Sequence, residues 1–324
     1  MGNYDFGYLV EKIENQDFDT SPFAHVYIED FFSKEHFDEI ISSEEISSPV
    51  AINDKELIDG LLDKGFKPIP FPGCVTDIEK YISWHQKEKS ASHHTACEGF
   101  GMALRLYEFQ SPILQELNQF LASEKFNRAI AKKFGVNFDD CIRDGGIQKY
   151  LDGYEISPHP DIRKKAATFM VNINPSNKSE ENNHHTHYLK LKRSYAYVEE
   201  FWEGNENIDR AWVPWTWAET IKQQKKNNSI VLFSPSNDTL HGVKASYNHL
   251  NTQRTQLYGN LWYTESKVYK TLEWEQLDLS SQAASKRKIS TKQKIAEMLP
   301  TNVKTVLKKM IRKEKEIVGK RNIS

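Results

Sequence analysis

Apolar and polar positions alternate through SPFAHVYIEDFF (21–32), which predicts a strand with Ala24, Val26 and Ile28 on one face. Ser33 stands where a helix cap would, and Phe37, Ile40 and Ile41 follow at helical spacing. The chain ahead of this strand, residues 1–21, has no comparable pattern and reads as a loose lead-in. Residues 43–100 give weaker signals: a Pro-rich turn at Lys67–Gly73 and a helix around Ile78–Gln86. Ser111 and Pro112 open a helix whose Leu114, Leu117, Phe120 and Leu121 form an apolar face. A second helix runs from Ser123 to Phe134 and stops at Gly135.

Near residue 146 the period changes. Short β-type runs follow at Ile147–Leu151, Thr168–Asn174, Tyr188–Leu191, Ser229–Phe233, Gly242–Ala245 and Arg254–Tyr263, filled by Val, Ile, Thr and aromatic residues. Many short strands with turn signals between them predict an all-β sandwich or barrel over about 147–265. The main domain is expected over 22–279, followed by a Ser/Lys-rich linker (280–300) and a helical tail (301–324). In that tail Thr301 is the expected cap, and Val303, Val306, Leu307, Met310 and Ile311 make one narrow apolar stripe.

Composition narrows the class. A hydrophobic fraction of 38% over 324 residues supplies a sizeable core, which excludes global disorder. No apolar run approaches the roughly 18 residues needed to cross a bilayer. The polar, acidic start lacks the apolar region of a secretory signal, and Phe6 stands where a myristoylation site would carry Ser or Thr. Cys74, Cys97 and Cys141 are odd in number, widely spaced and without a CxxC pair, so neither a disulfide framework nor a zinc knuckle is expected. Each reads as a small buried or half-buried hydrophobe, and the expected location is cytoplasmic. The net charge of −2 hides an asymmetry: residues 286–324 carry 13 Lys plus Arg against 3 Glu, so an acidic body is joined to a basic tail.

The sharpest chemical feature is His159-Pro160-Asp161, just after one expected strand and before the next. A second histidine, His241, follows the run SIVLF. Two neutral imidazoles and a carboxylate on one face of a metal leave the opposite face open, an arrangement suited to non-haem Fe(II). At a strand end, residues i and i+2 point to the same side, so His159 and Asp161 can reach one ion. His36-Phe37-Asp38 repeats the H-x-D pattern, but on an expected helix, where the two side chains diverge by about 200° and read as surface. Arg254 opens the last long run, whose Arg254, Gln256, Tyr258, Asn260 and Trp262 share one polar and aromatic face. A guanidinium there could anchor the far carboxylate of an organic diacid through two parallel hydrogen bonds.

With these residues in place, the chain resembles the Fe(II)/2-oxoglutarate-dependent dioxygenases of the prolyl 4-hydroxylase-like branch. The matching stretches are FAHVYIEDFF, QKYLDGYEISPHPD, ATFMVNINP, SIVLFSPSNDTLHGVKA and QRTQLYGNLWY, spread over about 22–265. The resemblance implies a mainly β fold with flanking helices: a double-stranded β-helix, or jelly-roll, core behind N-terminal helices. It implies His159, Asp161 and His241 as iron ligands and Arg254 as partner of the 2-oxoglutarate C5 carboxylate. It also implies O2 as co-substrate, ascorbate as an accessory reductant, and hydroxylation with release of succinate and carbon dioxide. Asp161 argues against the halogenating relatives, which carry a small residue there. Tyr150 matches an aromatic position lining the co-substrate pocket. Asn172 stands where relatives often use Tyr, and Gln256 where many place Ser, so the pocket departs from the common pattern at both.

The substrate class stays open: a peptidyl proline, an amino acid, a sugar-linked metabolite or a lipid-linked glycan. Two other readings compete. One is a non-catalytic jelly-roll binding module; the other is a nucleic-acid demethylase of the same superfamily, against which the acidic body counts. His184, His185 and His187 read as loop or rim residues, and His93 and His94 likewise. His249 falls in a polar loop. Trp202, Trp212, Trp215 and Trp217 fit core packing better than a substrate platform. The basic tail fits contact with an anionic membrane surface, with a protein partner or, through phosphates, with nucleic acid, and no nucleic-acid motif supports the last.

Overall fold

The computed structural model describes residues 4–47, 50–71, 74–87, 101–265 and 268. Among these the helices are α1 (Tyr8–Asn15), α2 (Lys34–Ser42), α3 (Asp54–Asp63), α4 (Ile78–Lys87), α5 (Pro112–Leu121), α6 (Glu124–Lys133) and α7 (Tyr197–Glu203). The strands are β1 (Val26–Ile28), β2 (Phe66–Pro68), β3 (Ala103–Leu106), β4 (Cys141–Tyr150), β5 (Glu155–His159), β6 (Lys165–Asn172), β7 (Thr186–Leu191), β8 (Ala218–Gln224), β9 (Ile230–Phe233), β10 (His241–Lys244) and β11 (Arg254–Tyr263).

Local signals explain most of the helices. The Ser33 hydroxyl accepts from the His36 N–H and caps α2; Ser123 caps α6 through the Phe126 N–H. Gly135 ends α6 at φ +66°, a conformation that favours glycine. The first residues are not a loose lead-in: Leu9, Val10 and Ile13 of α1 are buried, and α1 packs on α6. Residues 54–63, which gave no clear signal, form α3 behind an Asn53 cap. The linker and basic tail expected beyond residue 279, with Cys97, His93 and His94, lie outside the described residues. Cys74 and Cys141 are half-buried. No helix among the described residues is long and apolar enough to cross a membrane.

The strands form two antiparallel sheets. One has seven strands in the order β1-β9-β6-β11-β4-β3-β2, the other four in the order β5-β10-β7-β8. They face each other as a β-sandwich core. Tyr150 of β4 packs with Ile156 of β5 and Val243 of β10, and Tyr188 of β7 packs with Val231 and Phe233 of β9. The opposite face of the larger sheet carries the helices: Leu114, Leu117, Phe126 and Ile130 share a core with Ile147, Phe169, Leu257 and Leu261. On β11 the alternation therefore sends Leu257 and Leu261 towards the helices, and Arg254, Gln256, Tyr258 and Asn260 between the sheets.

Candidate metal centre

Between the sheets lies a cavity of about 120 Å³ lined by residues of both. His159, the last residue of β5, pairs directly with His241, the first of β10. That register brings the two imidazoles together, ring centroids 4.4 Å apart and planes tilted by 45°. Asp161 follows through Pro160 with φ +64°, a left-handed conformation that turns its carboxylate back towards both rings. His159 Nε2 is 3.4 Å from Asp161 Oδ1, and His241 Nε2 is 3.7 Å from Asp161 Oδ2.

The proton inventory of these rings is fixed by their other nitrogens. His159 Nδ1 lies 2.8 Å from the Ser157 carbonyl and His241 Nδ1 lies 3.0 Å from the Thr239 carbonyl. A carbonyl only accepts, so both Nδ1 atoms carry a hydrogen, and in each ring Nε2 is the atom that faces the carboxylate. Burial, with His159 beside it, pushes the His241 imidazole down to about 3, so it is neutral at physiological pH. A buried carboxylate needs a cation beside it; Lys165 supplies one, and a metal ion held by the two imidazoles would supply a second. Ligands about 2.1 Å from one ion and at right angles lie about 3 Å apart, close to the separations seen. The donor set fits a divalent transition metal.

Asp161 is held from several sides. Lys165 Nζ donates to Oδ1 at 2.8 Å and Thr168 Oγ1 to Oδ2 at 3.2 Å. Burial alone would raise this carboxyl; the Lys165 ammonium is the chief group that outweighs it and holds it well below the usual carboxylate range. The Thr239 hydroxyl donates to the Pro160 carbonyl at 3.1 Å while its own carbonyl orients His241, so one residue ties the two ligand segments together.

Arg254 is 2% exposed. Its guanidinium lies 4.5 Å from the Tyr150 ring centroid and donates through Nη2 to Thr186 Oγ1 (3.0 Å) and Gln256 Oε1 (2.9 Å). No carboxylate pairs with it among the described residues. An unpaired buried cation is costly, and an anionic ligand would offset that cost. Gln256 is held in turn by donating from Nε2 to the side-chain Oδ1 of Asn172 at 2.9 Å. The orientation of the Gln148 amide that satisfies both its ends donates to the Tyr150 hydroxyl, 2.5 Å away, and leaves the phenolic proton free for the cavity. Tyr150, Arg254 and Gln256 line the same cavity as His159, Asp161 and His241, whereas Asn172 stands one step behind, against Gln256.

The other histidines fall elsewhere. His36 and Asp38 lie on α2, Asp38 exposed and paired with Lys34. His184 and His185 lie in the loop ahead of β7 but are buried and not on a rim, their imidazoles pushed down to about 2 and 4, in each case chiefly by burial. His187 engages Thr220 and Gln223 across to β8. His249 sits in a loop, but its side chain is buried with Asp54 and His85, a second grouping of metal-ligand type. That grouping is already satisfied without an ion. The Asp152 N–H donates to His249 Nδ1 (2.9 Å), so Nε2 carries the hydrogen directed at Asp54 (2.8 Å), and His85 bridges Asp54 and Asp152 at 2.9 and 3.1 Å. Trp202, Trp215 and Trp217 pack in a cluster with Leu189 and Val213, and Trp212 against Tyr150 and Tyr154.

No protein-family profile matches the chain, and no curated protein does. Among solved structures the chain is similar to a Pseudomonas putida prolyl-4-hydroxylase, with 10% identity and a TM-score of 0.41 over 79% of this chain and 98% of that one. It is also similar to a Trichoplax adhaerens prolyl hydroxylase solved with a hypoxia inducible factor peptide: 12% identity, TM-score 0.45, 81% of this chain and 94% of that one. A 2OG-Fe(II) oxygenase family protein from Burkholderia pseudomallei matches at 9% identity and a TM-score of 0.28, over 70% of this chain and all of that one, 100%. At identities this low, the chemistry of the centre is carried by its side-chain geometry.

Residues that sequence patterning did not reveal are Lys165, Thr168 and Thr239, which hold the ligand segments, and Arg210, which donates to the Asp161 carbonyl. Thr168 had a local signal in the alternation of β6; Lys165, three positions away, reaches the same side where the pairing with β11 shifts register between Leu261 and Trp262, and the other two act through backbone atoms far along the chain.

Proposed function

We propose that the chain is an Fe(II)- and 2-oxoglutarate-dependent oxygenase built on a jelly-roll. Numbering β4 to β11 one to eight, the facing sheets run 6-3-8-1 and 2-7-4-5, the winding of paired Greek keys. His159 Nε2, His241 Nε2 and one Asp161 oxygen would hold the ion on a single face. When bound, the ion supplies the redox chemistry that couples decarboxylation of 2-oxoglutarate to oxidation of a substrate C–H bond.

The protein's own part is orientation and charge. The Ser157 and Thr239 carbonyls keep the Nδ1 hydrogens in place, so the Nε2 lone pairs stay available. Arg254 takes the distal carboxylate of the diacid, with Thr186, Gln256 and the Tyr150 hydroxyl fixing its depth. Walls from Tyr154, Ile156, Met170 and Val243 restrict water around that carboxylate. Hydroxylation of a peptidyl proline, an amino acid or a sugar-linked metabolite is the expected outcome.

The observation that carries this reading is the convergence of two Nε2 atoms and one carboxylate beside a buried arginine that has no carboxylate partner among the described residues. Anaerobic addition of Fe(II) and 2-oxoglutarate should produce a weak visible charge-transfer band, absent in His159→Ala, and admission of oxygen should release succinate. Neither band nor succinate in the wild type would defeat the proposal. The Lys165 ammonium on Asp161 favours a second reading, a binding module that neutralises its carboxylate without metal. Mn(II) titration separates the two, since such a module would take up no ion at micromolar concentration.

A further inference from the structure

Asp161 is one of three residues other than glycine with positive φ among the described residues, and the one in the metal centre. A left-handed conformation is disfavoured for a side-chain-bearing residue, though least so for Asp and Asn, so contacts around the turn decide whether it is held. The segment around Asp161 is pinned by three backbone contacts. Thr239 Oγ1 holds the Pro160 carbonyl at 3.1 Å; Arg210 Nε donates to the Asp161 carbonyl at 2.9 Å; and the Arg163 N–H donates to Asp209 Oδ1 at 2.7 Å.

Two of these three come from residues 209 and 210, in the connection between β7 and β8. That connection is clamped to the ligand segment from its other side as well. The Arg163 guanidinium donates to the carbonyls of Ile208 (2.8 Å) and Trp202, which lies in α7. Arg210 is 6% exposed, and the acceptors its guanidinium meets are backbone carbonyls: Asp161 and, more distantly, Pro235 at 3.5 Å. A guanidinium buried against carbonyls gains little as an ion pair. Its contribution is to fix one peptide plane, and that plane carries the carboxylate that faces His159 and His241.

Resting on the reading of this centre as a metal site, we propose that Arg210 is a positioning residue for Asp161, locking the left-handed turn so that the carboxylate is presented to the ion. The β7–β8 connection thereby becomes part of the metal centre although it supplies no ligand. Arg210→Met should bind Mn(II) about 10- to 100-fold more weakly than wild type, the range expected when an outer partner of a ligand is lost. Arg210→Lys, which keeps one donor, should recover part of that affinity. The readouts are Mn(II) binding by electron paramagnetic resonance and the d–d spectrum of the Co(II) form, with thermal unfolding of the metal-free protein alongside. A purely structural role would lower the unfolding temperature in both variants and leave the Co(II) spectrum and Mn(II) affinity of the folded fraction unchanged; that result overturns the proposal. Equal affinity in wild type, Arg210→Lys and Arg210→Met overturns it alone. Failure of the wild type to bind Mn(II), like His159→Ala, overturns both this inference and the reading of the centre.

Discussion

At the scale of single residues, Arg254 makes the clearest demand on its surroundings. Its guanidinium is buried with amide, hydroxyl and aromatic neighbours and no acid among the described residues. Replacing it by Met fills similar volume without a charge to bury, so the ligand-free protein should keep or gain stability. Binding should suffer in the opposite direction: loss of a buried charge-assisted contact costs about 2–5 kcal/mol. Calorimetric titration of the Mn(II) form with 2-oxoglutarate should show that loss in Arg254→Met, and only partial recovery in Arg254→Lys, whose ammonium lacks the two-pronged geometry. Unchanged affinity would remove Arg254 from the co-substrate site. His159 and Asp161 were legible because they stand two residues apart at a strand end, and Arg254 because a guanidinium opens the polar and aromatic face of the last strand. Arg210 and Thr239 were not, because each acts on a backbone carbonyl far along the chain, and no residue pattern encodes such a contact.

Among elements, β5 explains both what patterning missed and why the centre forms. Pro158 and Pro160 flank His159, and proline cannot donate to a ladder, so the stretch carries little strand signal of its own. It is tolerated as a strand because β5 is the edge of its sheet, paired only with β10. The same pairing breaks register between His241 and Val243, and Gly242 lies at the break. A Cβ there would sit 3.1 Å from both the Ile156 carbonyl oxygen and the Pro158 nitrogen. Backbone atoms give way little, so Gly242→Ala should push β10 off β5, separate the two imidazoles, and destabilise by about 1–3 kcal/mol. Urea unfolding and Mn(II) affinity should both fall; retention of full Mn(II) affinity would mean that the β5–β10 spacing does not set the ligand distance. The helix α1 was lost to patterning for a different reason. Its apolar residues have helical spacing, but eight residues without a side-chain cap carry little local signal, and burial against α6 is what stabilises it.

Across the whole molecule, four distant segments meet at His85. Its ring lies between Asp54 at the start of α3 and Asp152 between β4 and β5, while His249, from the β10–β11 connection, closes the network on Asp54 and Tyr81 stacks on it from α4. Burial lowers the His85 imidazole, but hydrogen bonds to Asp152 and Asp54 outweigh it and raise the group to about 9. Asp54 shifts the other way: burial raises it, and His249 and His85 hold it below the usual carboxylate range. A histidine raised in the folded state adds stability that is complete below its unfolded value of about 6.5 and is lost as pH climbs through about 9. A carboxylate lowered in the folded state adds stability that is complete above about 4 and is lost as pH falls below that. The network should therefore support the fold most between about pH 4 and 6.5, and weaken along an alkaline limb. Urea unfolding of wild type and His85→Gln from pH 5.5 to 10 isolates the effect, because other titrating groups cancel in the difference. The two stability curves should be far apart at pH 6 and converge by pH 10. A constant gap would show that His85 does not carry a proton in the folded protein, and the charged bridge between the α3–α4 layer and the sheet loops would have to be abandoned.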